Sequence, residues 1–188
     1  DSFYRWMGSW AIALRTPSDI GYENDGFNLP VLSITDRIVR CEKPPEGVLF
    51  HGLGLKGIGG RLAARRTSLK DRVEAIVDLV DTGKEQWILW CGLNSESEAL
   101  GKAIADSVEV CGNDSYFEKV SAVHSFLSGE IRVIVSKAKI LGFGMNFQNC
   151  HNMAFVGLSD SFEMYYQCIR RCWRFGQKRP VNAVIVVS

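Results

Sequence analysis

The sequence contains no long hydrophobic run. No stretch of its 188 residues approaches the roughly 18 consecutive apolar residues that a membrane-spanning helix needs, and the N-terminus lacks the charged and then apolar layout of a signal peptide. These absences argue against a membrane or secreted protein, and we expect a cytoplasmic one. With 46% hydrophobic residues, the chain is long enough to bury the core of one domain with an appendage.

The six cysteines include no C-x-x-C pair. This spacing favours free, reduced thiols, as in cytosolic proteins, over a disulfide framework or a zinc site. Two arrangements leave a zinc site open as an alternative: Cys150 is adjacent to His151, and Cys168 lies four residues before Cys172.

Two nucleotide-binding motifs are also missing. There is no G-x-x-x-x-G-K-[ST] loop to hold phosphates and no D-E-x-[HD] box to hold Mg²⁺. Gly52, Gly54 and Gly57 do form a literal G-x-G-x-x-G, which leaves a dinucleotide-binding enzyme as an alternative. We disfavour it because only a three-residue apolar run precedes these glycines and an arginine-rich segment follows, where that fold needs a buried strand and helix.

The net charge of +1 is unevenly distributed. The basic residues form two clusters, the second without an acidic member: Arg61, Arg65, Arg66, Lys70 and Arg72, and then Arg170, Arg171, Arg174, Lys178 and Arg179. Such clusters are most often solvated faces. Two of them in one small domain would, however, suit a protein that binds a phosphate backbone.

From about residue 67 onward, segments of helical and strand periodicity alternate. The first predicted helix begins after Thr67 or Ser68, and three more cover about 95–105, 115–127 and 161–173. The predicted strands cover 86–92, 108–112, 131–136, 152–158 and 181–187. Five strands separated by helices predict an α/β fold: a doubly wound, mostly parallel sheet with helices on both faces.

The first 66 residues lack this alternation and are rich in Gly, Pro and Asp. We interpret residues 1–66 as an irregular N-terminal connector or insertion, with one alternating stretch at 32–41 that pairs at a sheet edge or in a hairpin. The chain starts without Met and ends directly after an apolar run, so we expect a piece of a longer protein.

The helix predicted at 161–173 has two distinct faces when each residue is rotated by 100°. The face expected to pack on the core carries Phe162, Tyr165, Tyr166, Ile169 and Trp173. The opposite face carries Gln167, Arg171 and Arg174 at i, i+4 and i+7, and Gly176 ends the helix. Two arginines and a glutamine are therefore expected to project together.

The string containing this face, QCIRRCWRFGQ, resembles motif VI of superfamily-two helicases, whose pattern is Q-x-x-x-R-x-x-R-x-G-Q, and most closely that of Swi/Snf-related translocases. SKAKILGFGMNFQNC, upstream, resembles motif V of the same enzymes, with Gly142, Gly144 and Asn146 in the G-x-G-x-N positions. WILWCGLNSESEAL resembles motif IV more weakly, with a helix beginning at Asn94 and Ser95 whose backbone N–H groups could hold a phosphate.

This resemblance covers about residues 67–188 and implies the C-terminal RecA-like lobe of a helicase or translocase. The opening segment WMGSWAIALRTPSDIGYENDGFNLP also looks like the connector between the two lobes in phage-type members, which implies a bacterial or phage-infected cell. Residues 1–66 would then lead to a first lobe outside this sequence.

In the family, the second lobe supplies arginines to an ATP held by the first. The resemblance implies that Arg174 is the arginine finger, that Arg171 contacts phosphate or orders the interface, and that Gln167 belongs to the same catalytic group. Gly142, Gly144 and Asn146 would then lie near the nucleotide. ATP with Mg²⁺ would be held mainly by the first lobe.

The resemblance also implies DNA as a partner, in duplex form as for Swi/Snf relatives. The residues expected to contact it are Ser136, Lys137, Asn94 and Ser95. One departure bears on this expectation, because Lys137-Ala138-Lys139 replaces the commoner Thr-Arg-Ala start of motif V. The alternative function is a nucleic-acid-binding module without a catalytic role, in which the same arginines only bind phosphate.

Overall fold

The computed structural model describes residues 1–40, 57–158 and 160–188. Its six strands form one parallel sheet in the order β1-β6-β5-β2-β4-β3. The strands are β1 (Leu32–Ile38), β2 (Trp87–Cys91), β3 (Ser107–Val110), β4 (Val133–Lys137), β5 (Asn152–Phe155) and β6 (Val181–Val187). The α-helices are α1 (Ser2–Gly8), α2 (Gly57–Thr67), α3 (Leu69–Val80), α4 (Asn94–Ala103), α5 (Tyr116–Ser128), α6 (Ala138–Leu141) and α7 (Phe162–Cys172). The predicted doubly wound α/β fold is confirmed.

Strand β2 is apolar throughout because it lies at the centre of the sheet and both of its faces are covered. Ile88 and Trp90 pack into a core formed with α5 and α7, whereas Trp87, Leu89 and Cys91 pack into a second core formed with α3 and α4. Successive side chains of a strand point to opposite faces. A continuous apolar run is therefore the pattern that a doubly covered strand requires.

Strand β1 pairs with β6 in parallel, with Leu32 opposite Val181 and Ile38 opposite Val187. Its position at the edge of the sheet agrees with the edge pairing expected for residues 32–41. Residues 1–66 contain β1, helix α1 and all but the last residue of α2, so part of the predicted irregular connector is regular structure. The division of the chain at residue 66 stays a prediction.

The core-facing stripe predicted for α7 is partly wrong. Ile169 is buried as expected, but Phe162 is 75% exposed and Tyr166 is also exposed, while Cys168 and Cys172 are buried. The helix packs on the first core through the buried Cys168, Ile169 and Cys172, and Tyr165 and Trp173 of the predicted stripe are partly buried against the same core.

The cysteines of the described residues are free, and Cys91, Cys150, Cys168 and Cys172 are buried. Burial raises the pKa of Cys168 to about 12, so its thiol is unreactive at neutral pH. The sixth cysteine, Cys41, lies outside the described residues, as do Gly52 and Gly54 of the glycine pattern. Within the described part of the chain, no helix is long and apolar enough to cross a membrane.

Candidate functional site

The side chains of Gln167, Arg171 and Arg174 are brought together at the end of α7, as the sequence predicts. Arg171 donates from Nε to the Gln167 carbonyl at 3.0 Å and from Nη2 to Gln167 Oε1 at 2.7 Å. Its Nη1 donates to the Met145 carbonyl at 3.0 Å, and Arg174 Nη1 lies 3.4 Å from the same oxygen. Two guanidinium groups therefore converge on one carbonyl of the neighbouring loop.

This arginine pair, Arg171 and Arg174, carries uncompensated positive charge. Neither guanidinium forms an ion pair with a carboxylate of the described residues. Burial lowers the pKa of Arg171, and the adjacent charge of Arg174 lowers it further. Since an arginine stays protonated even so, both groups are cations with exposed surface, and an anion placed between them would be strongly favoured.

The glycine loop, residues 142–146, brings backbone close to the arginine pair. Gly144 has φ +74°, a left-handed conformation that favours glycine, and a Cβ on Gly142 would overlap the Ala138 carbonyl. Gly144 and Asn146 are exposed. The loop is also joined to α7, because the Phe147 amide donates to the Arg171 carbonyl at 3.0 Å.

The last two residues of the motif-VI string hold the chain in place after Arg174. Gly176 has φ +90°. The side-chain Nε2 of the buried Gln177 donates to the Cys150 and Cys172 carbonyls at 3.0 and 3.3 Å, and its Oε1 accepts from the backbone amide of Lys178 at 3.0 Å. This glycine and glutamine therefore have a structural role, since they fix the turn that follows the arginine pair.

The second group of predicted site residues lies at the carboxyl ends of β2 and β4, where parallel sheets commonly bind ligands. Lys137 Nζ donates to Asn94 Oδ1, and Asn94 and Ser95 are both exposed. They line a shallow cleft of about 360 Å³ together with Arg66, Gly92 and Leu93. We refer to this site as the carboxyl-edge cleft.

The backbone N–H groups at the start of α4 are less open than expected. The carboxylate of Glu96 accepts from the Gly92 and Leu93 amides at 2.8 and 3.0 Å. Burial alone would raise the pKa of Glu96, but the Leu93 amide, Arg72, the Gly92 amide and Arg65 together lower it. The ionised side chain of Glu96 thus bonds the two amides that directly precede α4, next to the site expected for phosphate, and the side chains of Asn94 and Ser95 remain available.

Glu96 also pairs with two arginines of the first basic cluster. Arg72 is 1% exposed and donates from Nη1 to Glu96 Oε1 at 2.9 Å, and Arg65 Nη2 lies 3.3 Å from both oxygens of the same carboxylate. A buried carboxylate requires such partners. These two arginines therefore point inward, and Arg66 is the member of the cluster that lines the cleft.

Ser136 does not occupy the position expected of a DNA contact. Its side chain is fully buried, and its hydroxyl donates to the Val110 carbonyl at 2.8 Å. It lies on β4 opposite Val110 of β3, so the hydroxyl bonds the neighbouring strand and is not available to DNA. Lys137, the next residue, reaches the cleft.

The structure therefore separates the predicted residues into two places. The arginine pair and the glycine loop form one site, and Asn94, Ser95 and Lys137 form the other. Sequence reasoning missed Glu96 and the Met145 carbonyl. Glu96 is the third residue of α4, a known capping position, so the sequence could have indicated its role. A backbone carbonyl such as that of Met145 has no side-chain pattern by which the sequence could indicate it.

Among residues 1–40, 57–158 and 160–188, no group of three or more His, Cys, Asp or Glu side chains could hold a metal ion. The groups that are present fit a polyphosphate: two guanidinium groups without carboxylate partners, beside a loop whose backbone is exposed at Gly144.

Two solved structures share the fold. The C-terminal part of the Fun30 ATPase domain superposes with a TM-score of 0.57 at 17% identity, covering 62% of this chain and 41% of that one. The yeast DEAD-box splicing factor Prp28 superposes with a TM-score of 0.61 at 11% identity, covering 86% of this chain and 30% of that one. This chain thus spans less than half of the length of either protein. No curated protein sequence matches it.

A family profile described as the helicase conserved C-terminal domain matches residues 71–176, which is more than half of the chain. The matched region contains β2 to β5, the glycine loop and the whole of α7. The chain belongs to the family of helicase conserved C-terminal domains, and its fold is RecA-like, as in the C-terminal lobes of helicases.

Proposed function

We propose that the chain is the second motor lobe of an ATP-dependent DNA translocase and that Arg174 is its arginine finger. The observation that carries the proposal is the arginine pair: two adjacent guanidinium groups, held by the Met145 carbonyl and without a carboxylate partner among the described residues. Cations left without an anion in a helicase lobe are suited to a nucleotide brought by another lobe.

ATP would be held mainly by a first lobe, because the sequence has neither the phosphate-binding loop nor the acidic box. Mg²⁺ bound there would neutralise charge on the β- and γ-phosphates. When the two lobes close, Arg174 would stabilise the charge that develops on the transferring phosphoryl group, and Arg171, fixed by Gln167, would contact phosphate. Gly144 and Asn146 would border the nucleotide. The lobe alone is expected to be nearly inactive.

The carboxyl-edge cleft would contact the nucleic-acid backbone through Asn94, Ser95, Lys137 and Arg66. All four line the cleft, and two of them are cations. The choice of duplex DNA and of translocation rests on the Swi/Snf-like motif VI string. The measurement that separates DNA from RNA is ATP hydrolysis by the two-lobe parent protein in the presence of duplex DNA, single-stranded DNA or RNA.

The test of the finger compares DNA-stimulated ATP hydrolysis by the parent protein with its Arg174→Ala variant. A finger of this kind accounts for about 10³- to 10⁵-fold in rate, so turnover should fall by at least about 10³-fold while ATP still binds. Lys102→Ala is the control, because it removes an exposed positive charge in the last turn of α4, outside the arginine pair. If Arg174→Ala hydrolyses ATP as the control does, the chain is instead a nucleic-acid-binding module in which the arginines only bind phosphate.

A further inference from the structure

A turn of the N-terminal segment contacts both neighbours of Arg174 in the sequence. The ring of Phe27 lies against the ring of Phe175, with centroids 4.9 Å apart. The indole Nε1 of Trp173 donates to the Pro30 carbonyl at 2.8 Å. The turn, residues 24–30, therefore holds the chain immediately before and immediately after the arginine.

The 24–30 turn is itself firmly held. The Phe27 amide donates to the Asn24 carbonyl at 2.9 Å, and the Asn24 side chain bonds both the amide and the hydroxyl of Ser18 at 3.0 Å. On its other side, the chain enters β1, where the Val31 carbonyl accepts from the Val181 amide at 2.8 Å. The turn can thus transmit the position of the sheet edge to whatever it touches.

Arg174 needs such support because α7 has ended before it. Helix α7 ends at Cys172, and Trp173 has ψ +80°, outside the helical range. The contact between the Arg174 guanidinium and the Met145 carbonyl is long, at 3.4 Å. Helical hydrogen bonding therefore does not fix the direction of this side chain. The two aromatic neighbours, together with the Gln177 amide that donates to the Arg174 carbonyl at 3.0 Å, set the path of its backbone.

We infer that the 24–30 turn positions Arg174 for catalysis, with Phe27 as the principal positioning residue. This inference rests on the proposed role of Arg174 as the finger. The turn belongs to the segment expected to lead to the first lobe, so a change in lobe position would reach the finger through Phe27 and Pro30. The turn does not touch the nucleotide and acts only on geometry.

The test measures kcat and KM for ATP in the parent two-lobe protein carrying Phe27→Ala. Misplacement of a reacting group by about 1 Å is enough for a loss of about 10²-fold, so we expect kcat to fall by about 10- to 100-fold with KM for ATP unchanged. Phe27→Tyr keeps the ring and should restore kcat, since Phe27 is half exposed and a hydroxyl can reach solvent. Trp173→Phe removes the indole N–H together with one of the two fused rings and should lower kcat by a few-fold.

Phe3→Ala is the matched control, because Phe3 is an exposed aromatic of the same segment whose ring contacts, among the described residues, are with Tyr4 and Trp6. A second control repeats Phe27→Ala in the Arg174→Ala background, where a positioning residue should have no further effect on turnover. If Phe27→Ala fails to fold, Trp173→Phe decides in its place.

The outcomes separate the two proposals. If Arg174→Ala loses turnover while Phe27→Ala and Trp173→Phe behave like Phe3→Ala, the finger stands and the positioning role is wrong. If Phe27→Ala lowers turnover further in the Arg174→Ala background, the contact of Phe27 is merely structural, and the positioning role is again wrong. If Arg174→Ala keeps normal turnover, both proposals fall.

Discussion

Two pairs of arginines in this lobe look alike in sequence and differ in what surrounds them. Arg65 and Arg72 point inward to the fully buried carboxylate of Glu96. Arg171 and Arg174 converge on a neutral carbonyl and have no carboxylate partner among the described residues. A paired cation serves the fold, whereas an unpaired and partly exposed one is available to a ligand. The difference lies in the partner and not in the arginine.

The most direct test of this difference replaces one arginine of each pair by alanine. Arg72→Ala should destabilise the chain by about 3–5 kcal/mol, because it leaves the Glu96 charge buried with only Arg65 and two amides. Arg171→Ala should lower the free energy of unfolding by only about 1 kcal/mol, since water can solvate the Gln167 and Met145 carbonyls that lose their donor. Urea unfolding of the isolated chain measures both values.

ATP turnover of the parent protein should show the reverse order. Arg171→Ala should lower it by about 10²-fold or more, as expected for removal of one group that stabilises transition-state charge. Arg72→Ala should leave it near the wild-type value at a temperature where the variant remains folded. Equal destabilisation by the two substitutions would mean that Arg72 and Arg171 do not differ in the way proposed.

The sequence predicted the strands of the sheet and helices α3, α4, α5 and α7, but not α2, α6 or this difference. The apolar run of β2 and the face of α7 that carries Gln167 and Arg171 are local patterns, and both are confirmed, whereas Arg174 lies beyond the end of the helix. The partner of Arg72 lies 24 residues away, and Phe27 and Phe175 are separated by most of the chain. Contacts between distant residues depend on strand order, which periodicity does not encode.

The same limit explains the errors at the other site. Ser136 and Lys137 are adjacent, yet one is buried and the other reaches the cleft, because Lys137 is the last residue of β4 and lies at its carboxyl end. Which of the two residues is covered depends on where the neighbouring strand ends, and the pairing of β3 with β4 stops at Ser136. For α4, the sequence indicated a helix start but not that Glu96 would occupy its amides.

A smaller effect should appear in the pH dependence of stability. The pKa of Glu96 is lower in the folded chain than its ordinary value of 4.5. Its contribution to stability is therefore fully present above about pH 4.5 and is lost as the pH falls through the lower folded-state pKa, because protonation removes the charge that Arg72 and the amides stabilise.

The measurement is the difference in unfolding free energy between wild type and Glu96→Gln, taken from pH 7 down to pH 3. The difference should be largest at pH 7 and should narrow below about pH 4.5, the ordinary pKa of the group. Using a difference removes the contribution of Asp106, whose pKa is lowered by its hydrogen bond to Arg132 in both proteins. A gap that stays constant over this range would show that the Glu96 charge does not stabilise the fold.

The smallest expected effect concerns the carboxyl-edge cleft, where Lys137 is a cation bonded to the neutral Asn94 side chain. If Lys137 contacts one backbone phosphate, Lys137→Ala should weaken binding of the parent protein to duplex DNA about equally for all sequences. It should also reduce the slope of log affinity against log salt by about 1. Ser136→Ala provides the comparison within the same strand, because its buried hydroxyl bonds the Val110 carbonyl and should leave the slope unchanged. A slope that Ser136→Ala reduces and Lys137→Ala does not would exchange the roles assigned to these two neighbours, and it would require the end of β4 to open when DNA binds.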